Sequence, residues 1–177
     1  MSIFVRISSR LIVVTRILIQ KGYDLVDICF IQHTHSETAS RIFNLQLRSY
    51  KIEADLIDFE GLPPLQDSKE AIMKSNEVFI GCVLDQKLLG VLSYEETNYK
   101  IYINRLMVDP DHFRKGIGQR MLSYLIDAYP EDTIIVQTGA KNKPAVELYK
   151  KHGFQPTDEV EVAPGVTITQ MECLPTS

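Results

Sequence analysis

Three β-rich segments follow one another in the middle of the chain, and they constrain its fold more than any other feature. The segments 77–84, 87–96 and 100–110 are rich in Val, Ile, Leu and Tyr, residue types that favour strands. Only the short connections "DQ" and "TNY" separate them, and connections this short join antiparallel neighbours. The sequence therefore predicts a three-stranded antiparallel meander that ends where Asp109–Pro110 interrupts the ladder.

The segment before the meander combines a strand with helices. The apolar run 26–32 predicts a short strand. Ile42 and Leu45 then recur at helical spacing, and Ser36 or Thr38 is the expected N-cap of that helix. A glycine and two prolines make residues 58–68 a predicted loop, which a short helix follows.

The segment after the meander completes the pattern. It predicts a helix that Pro130 ends, a buried strand over 132–138, and a helix with Asn142 as N-cap and Gly153 beyond its last turn. A hairpin over 159–173 follows. This order indicates a mixed α/β layer fold with helices packed on a sheet.

Composition excludes several classes of function. The 177 residues carry a net charge of −4 with a pI of about 5.6, which argues against a general nucleic-acid binder. The three cysteines are widely spaced and form no C-x-x-C pair, so neither a zinc site nor a disulfide framework is expected. We therefore expect a cytoplasmic protein without a metal, and without nucleic acid or membrane among its partners.

The first 26 residues stand apart from the rest. Arg6, Arg10 and Arg16 occur there, and no acidic residue precedes Asp24. An extra strand or amphipathic lead-in, a transit peptide and a start codon placed too early all fit this composition. We treat residues 1–26 as an N-terminal extension of uncertain role and residues 27–177 as the folded domain.

The stretch "FRKGIGQRML" (113–122) opens a helix directly after the third strand of the meander. The first turn of a helix has backbone N–H groups without partners and a partial positive charge. Gly116 and Gly118 would let a phosphate approach those groups, and Arg114 and Lys115 add positive charge. The segment suits a diphosphate, although glycines that serve only a tight turn would look the same.

Two sequence blocks resemble those of a known family. The segment "RLMVDPDHFRKGIGQRML" resembles motif A of the GNAT superfamily, the acetyl-CoA-dependent N-acetyltransferases, whose pattern is R/Q-x-x-G-x-G/A after an apolar strand and a V-x-P step. Phe113 departs from the R/Q position of that pattern. The segment "NKPAVELYKKHGF" resembles motif B, and the resemblance covers about residues 27–173. The matching residues are Val108, Pro110, Gly116, Gly118, Asn142, Ala145, Tyr149, Gly153 and Phe154.

The resemblance implies a fold and an activity. The expected fold is a mixed, mostly antiparallel central sheet with helices on both faces and one splayed strand pair. The expected activity is transfer of an acetyl group from acetyl-CoA, used as a co-substrate, to a primary amine of a small molecule or a protein. A non-catalytic acyl-CoA-binding sensor or regulatory module on the same fold is the alternative, and a homodimer is left open.

The resemblance also implies the residues of the site. The pantetheine arm would lie along the backbone of Leu106, Met107 and Val108, as an added strand does. Asn142 would contact the arm, and Tyr149 would contact the cofactor and act as general acid on the departing thiolate. The diphosphate would be held by the backbone amides of Arg114, Lys115, Gly116, Ile117, Gly118 and Gln119.

Acetyl transfer also needs a neutral amine. A lysine-like amine costs roughly 4.6 kcal/mol to deprotonate at pH 7, so a general base is expected. We choose Glu95 on the central strands for this role, although a solvated charge at a strand end explains it equally well. Asn104 cannot be a base, but it could orient a water molecule.

The acceptor pocket is the part of the site about which the sequence says least. The segment 33–75 would form one of its walls. Its loop carries Asp58, Glu60 and Asp67, which could favour a cationic amine. A loop that is simply solvated explains these three acids equally well.

Overall fold

The computed structural model of the chain describes residues 3–7, 10–14 and 26–175. The strands in these ranges are β1 (Ile3–Ile7), β2 (Arg10–Val14), β3 (Asp27–Phe30), β4 (Val78–Leu84), β5 (Lys87–Thr97), β6 (Lys100–Val108), β7 (Thr133–Gly139), β8 (Gln155–Ala163) and β9 (Val166–Cys173). The helices are α1 (Ser36–Ile57), α2 (Pro63–Gln66), α3 (Lys69–Lys74), α4 (Ile117–Ala128) and α5 (Lys143–Lys151), with a turn of 3-10 helix at Pro110–His112.

A seven-stranded sheet forms the centre of the fold, in the order β3-β4-β5-β6-β7-β9-β8. Every neighbouring pair is antiparallel except β6 and β7, which run parallel. The predicted meander is therefore confirmed as β4, β5 and β6, within a mixed, mostly antiparallel sheet. Strands β1 and β2 pair with each other in a separate two-stranded sheet, and the rest of the 1–25 segment lies outside the described residues.

The meander turns are made without glycine. Asp85 and Gln86 have φ values of 46° and 64°, and Asn98 and Tyr99 have φ values of 47° and 60°. Two successive left-handed residues form the turn whose twist matches that of the flanking strands. Asp and Asn adopt this conformation more readily than most residues, which explains their place at the first position of each turn.

Helices cover both faces of the sheet. Because successive side chains of a strand point to opposite faces, Phe79 and Ile80 belong to different core clusters. Phe79 packs in the cluster of α1 and α3, where Ile42 is completely buried. Ile80 packs in the cluster that α4 and α5 share, around Met121 and Tyr149. In the described part of the chain, no helix has the length and apolar character needed to cross a bilayer.

The pair β6–β7 comes apart partway along its length. The parallel ladder runs from Lys100 to Ile103 on β6 and stops there. On the other side of β6, Tyr94 pairs with Ile103 and Ser93 pairs with Arg105, so Asn104 is an extra residue opposite β5. Such a bulge bends the strand that carries it. A gap therefore opens between the second half of β6 and the end of β7, and the splayed strand pair is present.

Two local predictions were wrong. Helix α1 begins at Ser36 itself, and its N-cap is His35, which makes no capping hydrogen bond through its side chain. The segment 58–68 is not entirely loop, because it contains the short helix α2. Pro63 and Pro64 stand at its first positions, where a missing N–H removes no helical hydrogen bond.

Candidate active site

A cleft with a volume of about 690 Å³ lies where β6 and β7 diverge. Residues 102–105 of β6 and 135–139 of β7 line it at the start of the gap. Tyr50 and Glu53 of α1, with the segment that follows that helix, line it as well, as do side chains of the β8–β9 hairpin. The cleft thus brings together the sheet and the 33–75 segment that the sequence assigned to the acceptor pocket.

The glycine loop lies at the other end of the gap, directly before α4. Gly116 is the N-cap of α4, with φ of 76°, and Arg114 is also left-handed, with φ of 61°. The first bond into the helix runs from the Arg120 N–H to the Gly116 carbonyl at 3.0 Å. Within the described residues, the amides from Arg114 to Gln119 donate to no backbone carbonyl. The loop therefore presents a series of free N–H donors, with the side chains of Arg114 and Lys115 exposed beside them.

The two glycines of the loop are needed for different reasons. Gly116 has a positive φ, which L-residues with a side chain rarely adopt. At Gly118 a Cβ atom would make only ordinary contacts, at 3.4 Å from Leu148 and 3.8 Å from Val108. Packing alone therefore does not require glycine at position 118. A ligand that approaches the backbone closely would require it, so the loop fits a diphosphate.

The backbone on the β6 side of the gap is available to a ligand. Leu106, Met107 and Val108 lie beyond the last residue of β6 that pairs with β7. On one side of β6, these three residues pair with β5. On the other side, which faces the gap, their backbone groups have no strand partner. Met107 is buried against α1, and the other two side chains are half-buried. An extended ligand could pair with this edge as an added strand.

Asn142 and Tyr149 both belong to the α5 region beside the gap. The Asn142 side chain accepts a hydrogen bond from the Ala145 N–H at 3.2 Å, so the predicted N-cap is confirmed. Tyr149 is buried, with its ring 5.4 Å from that of Phe154. Burial raises the pKa of Tyr149 well above its ordinary value, and Tyr50 and Glu53 raise it further. The phenol therefore keeps its proton at neutral pH and can donate it in a hydrogen bond.

The predicted base, Glu95, does not line the cleft. Glu95 is exposed on β5, opposite Tyr102, and is not among the residues that line the cleft. Glu53 does line the cleft, and the sequence reasoning missed it. A signal for it exists, because Ile42, Gln46, Tyr50, Glu53 and Ile57 form one stripe of α1 at helical spacing. Polar residues on such a buried stripe indicate a polar site beneath the helix.

An ion-pair network holds α1 and the segment after it against the sheet. The Arg105 guanidinium, on the residue after the bulge, donates to Glu77, to Asp67 at 2.9 Å and to Gln46 at 3.1 Å. Gln46 in turn donates to the Pro64 carbonyl at 2.7 Å. Of the three loop acids predicted to favour a cationic amine, Asp67 lines the cleft, whereas Asp58 and Glu60 are not among its lining residues.

Comparison with known proteins identifies the class to which this fold and loop belong. The model of the acetyltransferase (GNAT) family matches residues 39–154, and the chain belongs to that family. It is 40% identical over 148 residues to the UPF0157 protein YqkA of Bacillus subtilis (strain 168), in an alignment that covers 82% of this chain and 43% of that protein. It is 31% identical over 74 residues to the peptidyl-lysine N-acetyltransferase YiaC of Escherichia coli (strain K12), covering 42% of this chain and 47% of that protein. The chain thus spans less than half the length of these two relatives.

Solved structures share the fold at lower sequence identity. The ribosomal-protein-S18-alanine N-acetyltransferase of Escherichia coli has a TM-score of 0.68 at 16% identity, over 86% of this chain and 96% of that one. The PaiA N-acetyltransferase of Thermoplasma acidophilum was solved in complex with coenzyme A. It has a TM-score of 0.66 at 17% identity, over 82% of this chain and 97% of that one. These similarities show the fold over more than four fifths of the chain.

The different roles of the two loop glycines predict different effects on stability. Gly116→Ala should lower the free energy of unfolding by about 1 kcal/mol, because alanine is strained at positive φ. Gly118→Ala should leave it unchanged or raise it, because the methyl group fits and alanine favours helix. Urea denaturation of both variants measures the difference in the free energy of unfolding. A larger loss of stability for Gly118→Ala than for Gly116→Ala would contradict the prediction.

Proposed function

We propose that the chain is an N-acetyltransferase that transfers the acetyl group of acetyl-CoA to a primary amine of a small molecule or a protein. The observation that carries the proposal is the gap between β6 and β7. It begins in the cleft at Ile103 and leads along β6 to Val108, just before the glycine loop. One ligand could therefore extend from the loop to the cleft with its reactive end beside Tyr149.

The residues present fit acetyl-CoA as the co-substrate. The amides from Arg114 to Gln119 would bind the diphosphate, and the exposed side chains of Arg114 and Lys115 would lie near its charge. The backbone of Leu106–Val108 would pair with the pantetheine arm, and Asn142 would contact that arm. Acetyl-CoA would supply an activated acyl group, since its thioester carbonyl carbon accepts a nucleophile and its thiolate is a good leaving group.

Tyr149 would assist departure of the sulfur. As the C–S bond breaks, negative charge develops on the sulfur, and a neutral phenol can stabilise it with a hydrogen bond or a proton. A free tyrosine has a pKa of about 10 and a free thiol about 8.5. Because burial raises the pKa of Tyr149 further, the phenol holds its proton more firmly. Donation of a hydrogen bond in the transition state therefore demands less of Tyr149 than complete proton transfer.

The charge of the cleft supports an acceptor that arrives as a cation. Glu53, Asp67 and Glu77 line it, and Arg105 is the cation beside them. These four side chains carry a net negative charge at neutral pH, which attracts an ammonium group. Two of the similar proteins are named as acetyltransferases of peptidyl lysine and of a ribosomal-protein alanine, so protein amines belong in the test beside small molecules.

Release of free thiol from acetyl-CoA tests the activity directly. The panel should contain polyamines, aminoglycosides, amino acids, lysine-bearing peptides and peptides with free N-termini. We expect at least one amine to accelerate thiol release and to gain the mass of one acetyl group. Binding of acetyl-CoA without amine-dependent release across the panel would favour the alternative, a non-catalytic acyl-CoA sensor.

The loop assignment predicts a loss of cofactor binding without a loss of fold. Gly118→Glu should abolish acetyl-CoA binding in calorimetry, because it adds bulk and negative charge where the phosphates would lie. Val160→Glu is the matched control, since it adds the same charge at an exposed position of β8. Retention of binding by Gly118→Glu would show that the diphosphate is bound elsewhere.

The role of Tyr149 predicts an effect on rate rather than on affinity. Tyr149→Phe should lower kcat by about 100-fold, the lower end for loss of a general acid, and leave the Kd for acetyl-CoA nearly unchanged. Tyr124→Phe is the control, because it removes a buried tyrosine hydroxyl from a different helix, α4. Equal losses of rate and affinity in Tyr149→Phe would count against the acid role.

A further inference from the structure

We propose that Glu53 of α1, rather than Glu95, is the carboxylate that takes the proton of the acceptor amine. The inference rests on the proposed acetyl transfer and adds to it the group that makes the nucleophile. Its basis is the position of Glu53 in the cleft, between α1 and the start of α5. The neighbouring carboxylates of the cleft are already bound by protein donors.

The reaction defines what this group must do. An acceptor that enters as an ammonium ion gives one proton to the Glu53 carboxylate, and the freed lone pair forms the C–N bond with the thioester carbonyl carbon. The C–S bond breaks with its electron pair going to the sulfur. The second nitrogen proton leaves as the amide forms and passes to the sulfur through Tyr149. Glu53 then releases its proton to solvent, so one ammonium and one thioester yield an amide, a thiol and one proton.

The other two carboxylates of the cleft are occupied. Glu77 accepts hydrogen bonds from the Arg105 guanidinium and the Ser93 hydroxyl. Asp67 accepts them from Arg105 at 2.9 Å and from Gln46 at 3.1 Å. These bonds hold the α1–α3 segment against the sheet. A carboxylate that gave them up to take a proton would loosen the wall of the cleft.

Glu53 has a different environment. Its surroundings are the Tyr50 phenol on its own helix, the Tyr149 phenol on α5 and the Asn142 side chain at the start of α5. In the part of the chain that the structure describes, no arginine or lysine forms an ion pair with it. Glu53 is therefore a carboxylate in the cleft whose position does not depend on a cation, and an ammonium group could approach it.

The Asn142 side chain lies beside the Glu53 carboxylate. The Asn142 Oδ1 atom accepts the N-cap bond from the Ala145 N–H, so its amide NH2 group could donate to Glu53. Burial raises the pKa of Glu53 above its ordinary value, and the hydrogen bond from Asn142 opposes part of that change. A raised pKa makes the carboxylate a better base while the bond from Asn142 favours its ionised form. Glu53 and Tyr149 thus supply a base and an acid from different helices.

The test is the pH dependence of turnover in Glu53→Gln, which keeps the shape and can still accept the bond from Asn142. At pH 7 we expect kcat to fall by about 100-fold with an unchanged Kd for acetyl-CoA. The wild type should reach a plateau near neutral pH. The rate of the variant should rise by about tenfold per pH unit until it meets the wild-type plateau, because only amine that has lost its proton in solution can react and the amine pKa is about 10.4. The two rates should therefore converge near pH 9.

Two further variants complete the test. Glu95→Gln should keep the wild-type profile, since Glu95 is exposed and is not among the residues lining the cleft. Glu53→Asp keeps a carboxylate one methylene shorter, so it should keep the plateau at a lower rate. If Glu53→Gln does not fold, as a thermal melt would show, Glu53→Asp decides the question. A plateau in the pH profile of that variant supports the inference. A rate that rises only with the fraction of unprotonated amine in solution overturns it.

The outcomes separate this inference from the proposed function. A Glu53→Gln rate that equals the wild type, or a deficit that stays constant with pH, overturns the role of Glu53 and leaves acetyl transfer standing. Convergence seen in Glu95→Gln instead would return the role to Glu95. A wild type that releases no thiol with any amine overturns both.

Discussion

The extra residue in β6 is the constraint on which the rest of the site depends. Asn104 interrupts the register with β5, and the parallel ladder with β7 ends one residue earlier. Unpaired backbone groups inside a protein are costly, so a sheet opens in its middle only where something else satisfies them. Here the opening joins the cleft to the glycine loop, and a ligand with an extended arm could supply the missing bonds.

The bulge also determines how the wall of the cleft is built. Arg105 follows it directly, and its guanidinium reaches Glu77 before β4 and Asp67 after α2. Buried ion pairs often add little net stability, because desolvation offsets their attraction. Their effect here is positional, since one side chain connects the sheet to the segment that forms the cleft wall. The same bonds occupy two carboxylates and leave Glu53 for chemistry.

The two sides of the site arise from different kinds of sequence information. The side proposed to bind the cofactor is local: Gly116 caps α4, Asn142 caps α5, and Tyr149 lies two turns into α5. Each follows from turn, capping and periodicity rules that act within about ten residues. The acceptor side is assembled from distant segments, with Arg105 bonding to residues 28 and 38 positions away. Such contacts depend on how α1 lies across the sheet.

The sequence by itself determined the meander, the glycine loop before α4 and the capped helix α5, because short-range backbone and side-chain chemistry specifies each of them. It misplaced the start of α1, whose Ser36 and Thr38 offered a cap that the backbone does not use, and it read α2 as loop. The splayed strand pair was expected only from the family resemblance, and the tertiary structure decided where the gap between β6 and β7 begins and placed Glu53 beside Asn142. The physical reason is that strand pairing and helix packing bring together groups that no local spacing relates.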